Sequence, residues 1–411
     1  MAISWKRNFY TLWTAQLFAV IGFHAIQPFL AYYVQEFDVE DLDEALLWAG
    51  YLGSAAGFAM AISSPMWGAV ADRFGRKSMV VRSMVGGGIT VFFMAYAGSV
   101  FELLIARTLQ GALAGTVTAC ITMVSTTTPK SHLGFAMGMM QGAFLLGAAL
   151  GPLMGGPFIE NYGYKACFLA SGSIVIFAGI AVQFLVSEDF RKIEEKDEIG
   201  QNYIKEFFID GWRLLGLRPF VITLVIVVLI QFAYGVIMPV VPLFLQYLSE
   251  RDDILSEAGF VFSLMSLTGA VSAAVIGNWT LRIGLRRLLF FGLLSTAILL
   301  VFQGSATSVF VFAVLYVLGG FTTGAVRPVA NTIITYVISE TDRGKAFGIL
   351  TSAGAFGWAL GPSVGAFVGS QFGFQVAFYV TAALFLCVAV WAFYAMSELN
   401  IEEDSEWSKI E

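Results

Sequence analysis

Three ionisable side chains fall deep inside apolar stretches of this chain: His24, Arg107 and Arg327. A charge in hydrocarbon is costly enough that it faces a cavity or a partner, so each marks a place where a proton or a charged solute can be handled. His24 has two readings, a proton carrier or a packing histidine with its hydrogen bonds met. Gln27 follows it, then Pro28, which breaks a helix. At a helical rise, Arg107 lies about 7 Å to the outer side of the middle of its stretch, and His24 and Gln27 about 4–9 Å to the outer side of theirs. All three share a level, so Arg107 is expected to bond Gln27 or the break at Pro28. Arg327 sits beside Pro328 and close to Asn331. The acidic residues nearest these stretches, Glu36, Glu102 and Glu160, fall at outer ends. The fixed embedded charge is therefore positive, and anionic, zwitterionic or neutral amphipaths are favoured over permanent cations.

Further cavity candidates are polar or adaptable groups near mid-stretch, namely Tyr32, Met140, Gln141, Phe144, Gln231 and Tyr234, each a possible substrate contact. Enzyme chemistry finds no foothold. There is no H-E-x-x-H, no G-x-S-x-G with a usable histidine, no nucleotide-binding loop and no acid cluster for a metal. Cys120, Cys167 and Cys387 show no C-x-x-C spacing and read as small core residues. No cofactor and no metal is expected.

The elements that must position these groups are membrane-spanning helices. Apolar residues make up 58% of the 411 residues and charged ones 13%, and mean hydropathy is strongly positive. Runs long enough to cross about 30 Å of hydrocarbon lie near 8–34, 45–67, 79–97, 99–125, 132–159, 164–186, 219–247, 257–280, 286–303, 307–337, 344–369 and 375–396. Continuous apolarity excludes a barrel, whose strands alternate. The first run is too long for a cleaved signal and is followed by further spans.

With the amino terminus inside, the cytoplasmic segments carry nineteen Lys and Arg residues, and the outer loops only Lys165 and Arg251. That asymmetry places both termini in the cytoplasm. A net charge of −6 with acidic outer loops gives no basis for a nucleic-acid partner. The polar stretch 187–218 divides the chain into a first half, 1–186, and a second, 219–411. Its first part, Ser187 to Gly200, reads as a solvated linker, and Ile204 to Leu217 as a short interfacial helix.

The halves repeat. Gly147-Ala-Ala-Leu-Gly-Pro152 recurs as Gly357-Trp-Ala-Leu-Gly-Pro362, and Gly134-Phe-Ala-Met-Gly138 as Gly344-Lys-Ala-Phe-Gly348. Gly68-x4-Arg73-x-Gly75 is echoed by Gly277-x4-Arg282-x-Gly284. Two six-helix halves built from one repeat are an established transporter solution. Gly147, Gly151 and Gly155, and likewise Gly357, Gly361 and Gly365, form stripes suited to close helix crossing, with Pro152 and Pro362 as places to bend. A stripe of this kind serves as static packing or as a sliding contact between the halves.

The loop Gly68-Ala-Val-Ala-Asp-Arg-Phe-Gly-Arg-Lys77 closely resembles the signature loop of the major facilitator superfamily. The likeness extends along the whole chain, to Arg107-Thr-Leu-Gln110-Gly111 and to Gly147-x3-Gly151-Pro152-x2-Gly155-Gly156, which resembles that family's antiporter motif. The resemblance implies a monomeric all-α membrane protein of about twelve spans in two pseudo-symmetric bundles, working by alternating access as a proton-coupled drug exporter in the cell membrane. It also implies that Asp72, with Gly68, Arg73, Gly75, Arg76 and Lys77, latches one conformation. Read physically, Gly68 permits close helix approach, Gly75 a tight turn, and the three basic residues sit at the anionic inner leaflet. Many drug antiporters carry a carboxylate deep in the first span; this chain has none there. A nutrient importer is the alternative reading, and a membrane-embedded enzyme a weaker one.

Overall fold

The computed structural model describes residues 5–188, 214–251, 254–337 and 343–397. Most of the expected interfacial helix, 204–213, and most of the 187–218 linker lie outside these residues. Helices follow one another as α1 (Trp5–His24), α2 (Leu30–Tyr33), α3 (Leu42–Phe74), α4 (Arg76–Ala95), α5 (Val100–Ala112), α6 (Thr116–Thr127) and α7 (Leu133–Leu185). The series continues with α8 (Arg218–Ile237), α9 (Val240–Ser249), α10 (Leu255–Ile283), α11 (Leu285–Gly304), α12 (Val309–Val337), α13 (Arg343–Phe372) and α14 (Phe374–Ser397). Among the described residues, nine stretches are long and apolar enough to cross a membrane. One of them, Lys130–Leu185, holds two spans, because α7 turns at Gly163 (φ 80°). Rings on the outside, such as Phe184 at 81% and Phe310 at 77% exposure, suit lipid and not water.

The repeat is visible in the backbone. Adjacent spans reverse direction on single glycines with positive φ, Gly75 (89°) and its counterpart Gly284 (87°), Gly163 (80°) and its counterpart Gly373 (93°). A side chain would strain each of them. The signature loop is accordingly shorter than its sequence suggests. α3 runs on through Gly68 to Phe74, and α4 starts at Arg76.

Two packing units result, Met1–Glu195 with Pro239–Leu267, and Lys196–Met238 with Thr268–Glu411. They do not coincide with the sequence halves, because 239–267 packs with the first unit. The first is centred on Phe9, Leu12, Cys120, Met123, Met140, Val175 and Val182. The second has a cluster of Leu214, Phe220, Ala346 and Leu350. Cys120 and Cys167 are buried, but Cys387 is exposed on α14 and is not a core residue.

The glycine stripes face spans of their own half. A side chain on Gly147 would start 2.7 Å from Val20, one on Gly151 2.6 Å from His24, and one on Gly155 would strike the Ala25 carbonyl. In the second half Gly357 faces the Val228 carbonyl (2.5 Å), Gly361 faces Gly235 (2.5 Å), and Gly365 the Val236 carbonyl. Each stripe thus seats the span carrying it against the first span of its own half, backbone to backbone. Gly68 is the reverse case. No atom lies within 4 Å of where its side chain would begin, so it permits no close approach.

Candidate functional site

The first span is broken where its chemistry lies. Pro28 has no amide to donate and its ring crowds the carbonyl four residues earlier, that of His24, so α1 ends there. The chain continues as a short 3-10 turn, Gln27–Phe29, into α2. The glycines of α7 let it lie flush against this break. His24 is half-buried; its Nδ1 donates to the Val20 carbonyl (3.1 Å), and its ring meets Phe144 edge-on at 5.9 Å. A carbonyl can only accept, so the neutral ring carries its proton on Nδ1 and leaves the Nε2 lone pair to take another. Phe144 therefore belongs to this site, and Gln141, one turn earlier, is exposed.

Arg107 makes a different contact from the one expected. Its Nη1 donates to Gln110 Oε1 one turn along α5, and not to Gln27 or the break. Spacing of three residues sets the two on one helix face, and α5 packs on α3 and α4 while α1 packs on α7 and α6. Nε of Arg107 is buried without an acceptor. Among the described residues no carboxylate pairs with it. Gly111, next in the motif, lies against the Ala56 carbonyl and admits no side chain.

Two expected substrate contacts are structural. Tyr32 is buried and its hydroxyl donates to the Pro242 carbonyl (2.7 Å); Met140 is wholly buried in the core, and its carbonyl accepts from Gln16 Nε2 (2.7 Å). Around Tyr32 the C-terminal ends of the first and seventh spans are tied together. Gln35 and Gln246 exchange amide hydrogen bonds of 2.9 and 3.0 Å. Nearby, the Glu160 carboxylate accepts from the Ser256 amide (2.7 Å) and its hydroxyl at the start of α10. Gly156 abuts the Leu255 carbonyl, and Gly259 that of Pro152. A helix start carries partial positive charge, so the carboxylate is well placed.

A sequence profile of the Major Facilitator Superfamily matches residues 12–253 and 253–409. The chain belongs to the major facilitator superfamily. Multidrug resistance protein MdtG of Escherichia coli is 30% identical over 98% of both chains, and MdtG of Proteus mirabilis 30% identical over 93% of this chain and 94% of its own. Among solved structures, a bacterial homolog of the human lysosomal transporter Spinster superposes with a TM-score of 0.76 at 14% identity, covering 95% of this chain and 96% of its own. The human organic anion transporter MFSD10 gives 0.70 at 19%, covering 95% and 99%. The protein is a multi-pass membrane protein, a secondary transporter of small molecules of the drug-efflux kind, and not an enzyme.

Of the superfamily's signature loop, the side chains of Asp72 and Arg73 lie outside the described residues, as do those of Arg327 and Asn331. What is visible beside the loop is a cap that sequence reading treated as solvated linker. Glu188 accepts from the amides of Arg76 (2.9 Å) and Lys77 (3.0 Å), the first residues of α4, which have no other side-chain cap. Its neighbour Ser187 is held by Arg7 and by two bonds with Asn8, at 2.7 and 3.0 Å. The end of the sixth span, the start of the first and the signature turn thus form one cluster. The clue available in sequence was a carboxylate at the end of an apolar run facing a turn without a capping residue.

In the second unit of this major facilitator, Gln231 is half-buried and faces Gly354. Tyr234 meets Phe385 edge-on at 5.2 Å. Among the described residues no group of His, Cys, Asp and Glu side chains is arranged to hold a metal ion.

Proposed function

We propose that this major facilitator sits in the cell membrane with both termini in the cytoplasm and exports amphipathic drugs or metabolites in exchange for protons. The observation that carries the reading is the similarity to multidrug resistance protein MdtG along 98% of both chains. His24 is the titratable group for the exchange, because its free Nε2 lies at the break in the first span. Arg107 supplies positive charge without a paired carboxylate, which favours anionic and neutral amphipaths over permanent cations. The halves 1–186 and 219–411, joined by 187–218, alternate between inward-open and outward-open states in a single monomer. The signature loop with Asp72 latches one state. Phe144, Gln141, Gln231, Tyr234, Arg327 and Asn331 are the remaining contacts offered to substrate.

The test uses proteoliposomes with an imposed proton gradient and a panel of anionic, neutral and quaternary-ammonium compounds. Uphill movement that stops when the gradient is collapsed is expected, and His24→Gln should abolish it while sparing counterflow. Uphill transport indifferent to the proton gradient would overturn the coupling. Uptake of a single nutrient in cells, lost on deletion, would favour the importer reading.

A further inference from the structure

We propose that Arg82, Trp67 and the break in the fourth span form a binding site for the anionic head of an amphipathic molecule. The inference concerns binding and depends neither on transport direction nor on proton coupling.

By sequence, Arg82 counts with the cytoplasmic basic residues that follow Lys77. In the fold it lies within α4, six residues beyond Arg76 and therefore about 9 Å along the helix into the span. An arginine at that depth needs partners. The fourth span supplies some of them, because it is interrupted. α5 ends at Ala112, α6 starts at Thr116, and Gly115 between them has φ 114°. Two of the carbonyls at this break are taken up by side chains. Trp67 Nε1 donates to the Ala112 carbonyl (2.7 Å), and Arg82 Nη2 donates to the Ala114 carbonyl (3.3 Å).

Among the described residues that is the only hydrogen bond Arg82 makes, although a guanidinium carries five N–H groups. Its Nε and Nη1 are buried and meet no acceptor. Its flat face lies on the Trp67 ring, with the central carbon 3.7 Å from the ring centre, which fixes the plane of the fork. No carboxylate pairs with it among the described residues.

The start of α6 adds a second, independent group of like sign. It has no side-chain cap, and Arg82 Nη2 lies 3.9 Å from the point where a Gly115 side chain would begin. A helix start is partially positive and leaves amides unpaired. A guanidinium with unused donors beside an uncapped helix start is poorly arranged by itself and well arranged for an anion. The planar fork suits a carboxylate or a phosphate. Ile62 and Met66, on the same helix as Trp67, are 72% and 64% exposed, which gives an apolar tail a surface. The ligand class is therefore an anionic oxygen head on an apolar tail, whether a solute or an anionic lipid.

The experiment measures equilibrium binding of laurate and of dodecanol, equal tails with charged and neutral heads, to the full-length protein in phosphatidylcholine nanodiscs. Wild type should bind laurate at least tenfold more tightly than dodecanol, the worth of about one charge-assisted hydrogen bond. Arg82→Gln should erase that preference and leave dodecanol within twofold. Arg82→Lys keeps the charge but not the fork, and should weaken laurate a few-fold with an unchanged unfolding temperature. Equal affinities on wild type, a comparison that requires no variant, would overturn the site, as would unaltered laurate binding in Arg82→Gln. Adding phosphatidylglycerol to the nanodiscs separates the two sources of the head. Displacement of laurate assigns the site to a lipid, and persistent laurate binding assigns it to a solute.

Discussion

The glycine contacts make a prediction whose sign differs between positions. Gly151→Ala would place a methyl 2.6 Å from His24 Cβ and 2.9 Å from the Ala25 amide, where non-bonded atoms prefer about 3.5–4.0 Å. α7 would have to retreat from α1 by roughly 1 Å over a full turn. Gly155→Ala is worse placed, because the obstacle is the Ala25 carbonyl, a backbone atom that cannot rotate away. Overpacking of this kind costs about 1–3 kcal/mol. At Gly68 and Gly138, both inside helices, nothing lies within 4 Å. There alanine should stabilise by about 0.5–1 kcal/mol, because it removes backbone freedom from the unfolded chain. The assay is thermal unfolding of purified protein, followed by thiol-reactive fluorescence at the buried Cys120 and Cys167, together with drug export in cells. Gly151→Ala and Gly155→Ala should melt lower and export less, whereas Gly68→Ala and Gly138→Ala should melt at the wild-type temperature or higher. Equal melting temperatures across the four variants would refute the packing argument.

Glu188→Ala should lower stability by about 1 kcal/mol, the usual worth of a helix cap, and Glu188→Gln by less, as read from unfolding temperatures. Gln35→Ala and Gln246→Ala should be non-additive in a double-mutant cycle, each exposing outer-cavity cysteines to membrane-impermeant reagents as fully as the pair does; additive labelling would dissociate the two amides. Arg107→Gln should reduce export of anionic compounds and spare quaternary-ammonium ones, measured on a matched set. Asp72→Asn should shift cysteine labelling between the inner and outer cavities while leaving affinity in a locked state unchanged.

Span positions and the repeat were legible because both rest on local rules, the length of apolar runs and the need for glycine at positive φ. Gly75 and Gly163 mark turns that any reading of the chain can place. The partners of polar side chains were not legible. Arg107 shares a level with Gln27, yet depth fixes only one coordinate, and which face of α5 meets which neighbour depends on packing that sequence spacing does not encode. Tyr32 and Met140 looked suited to a cavity because mid-span polar or flexible groups line cavities, but the same groups fill cores. Glu188 was hidden by its charged neighbours, which do belong to a polar linker. Arg82 was counted with the cytoplasmic basic residues although it falls inside the run 79–97, because basic charge near the end of a run reads as flank; in the fold it lies six residues into a helix that begins at Arg76.

The tie between the first and seventh spans has a consequence for ancestry. Tyr32 meets Pro242 and Gln35 meets Gln246, separations of 210 and 211 residues. The internal repeat has an offset of 210, taken from Gly147 and Gly357. Each residue therefore bonds its own repeat image or the image's immediate neighbour. In a homodimer of six-span chains the same surface would meet itself across a twofold axis, and glutamine would face glutamine if the register there differed by one residue from that of the glycine stripes. Reciprocal amide pairing lets one residue type bond its own copy with a donor and an acceptor from each side. In such a dimer a contact of that form would be complete before gene duplication, and fusion would only have to preserve it.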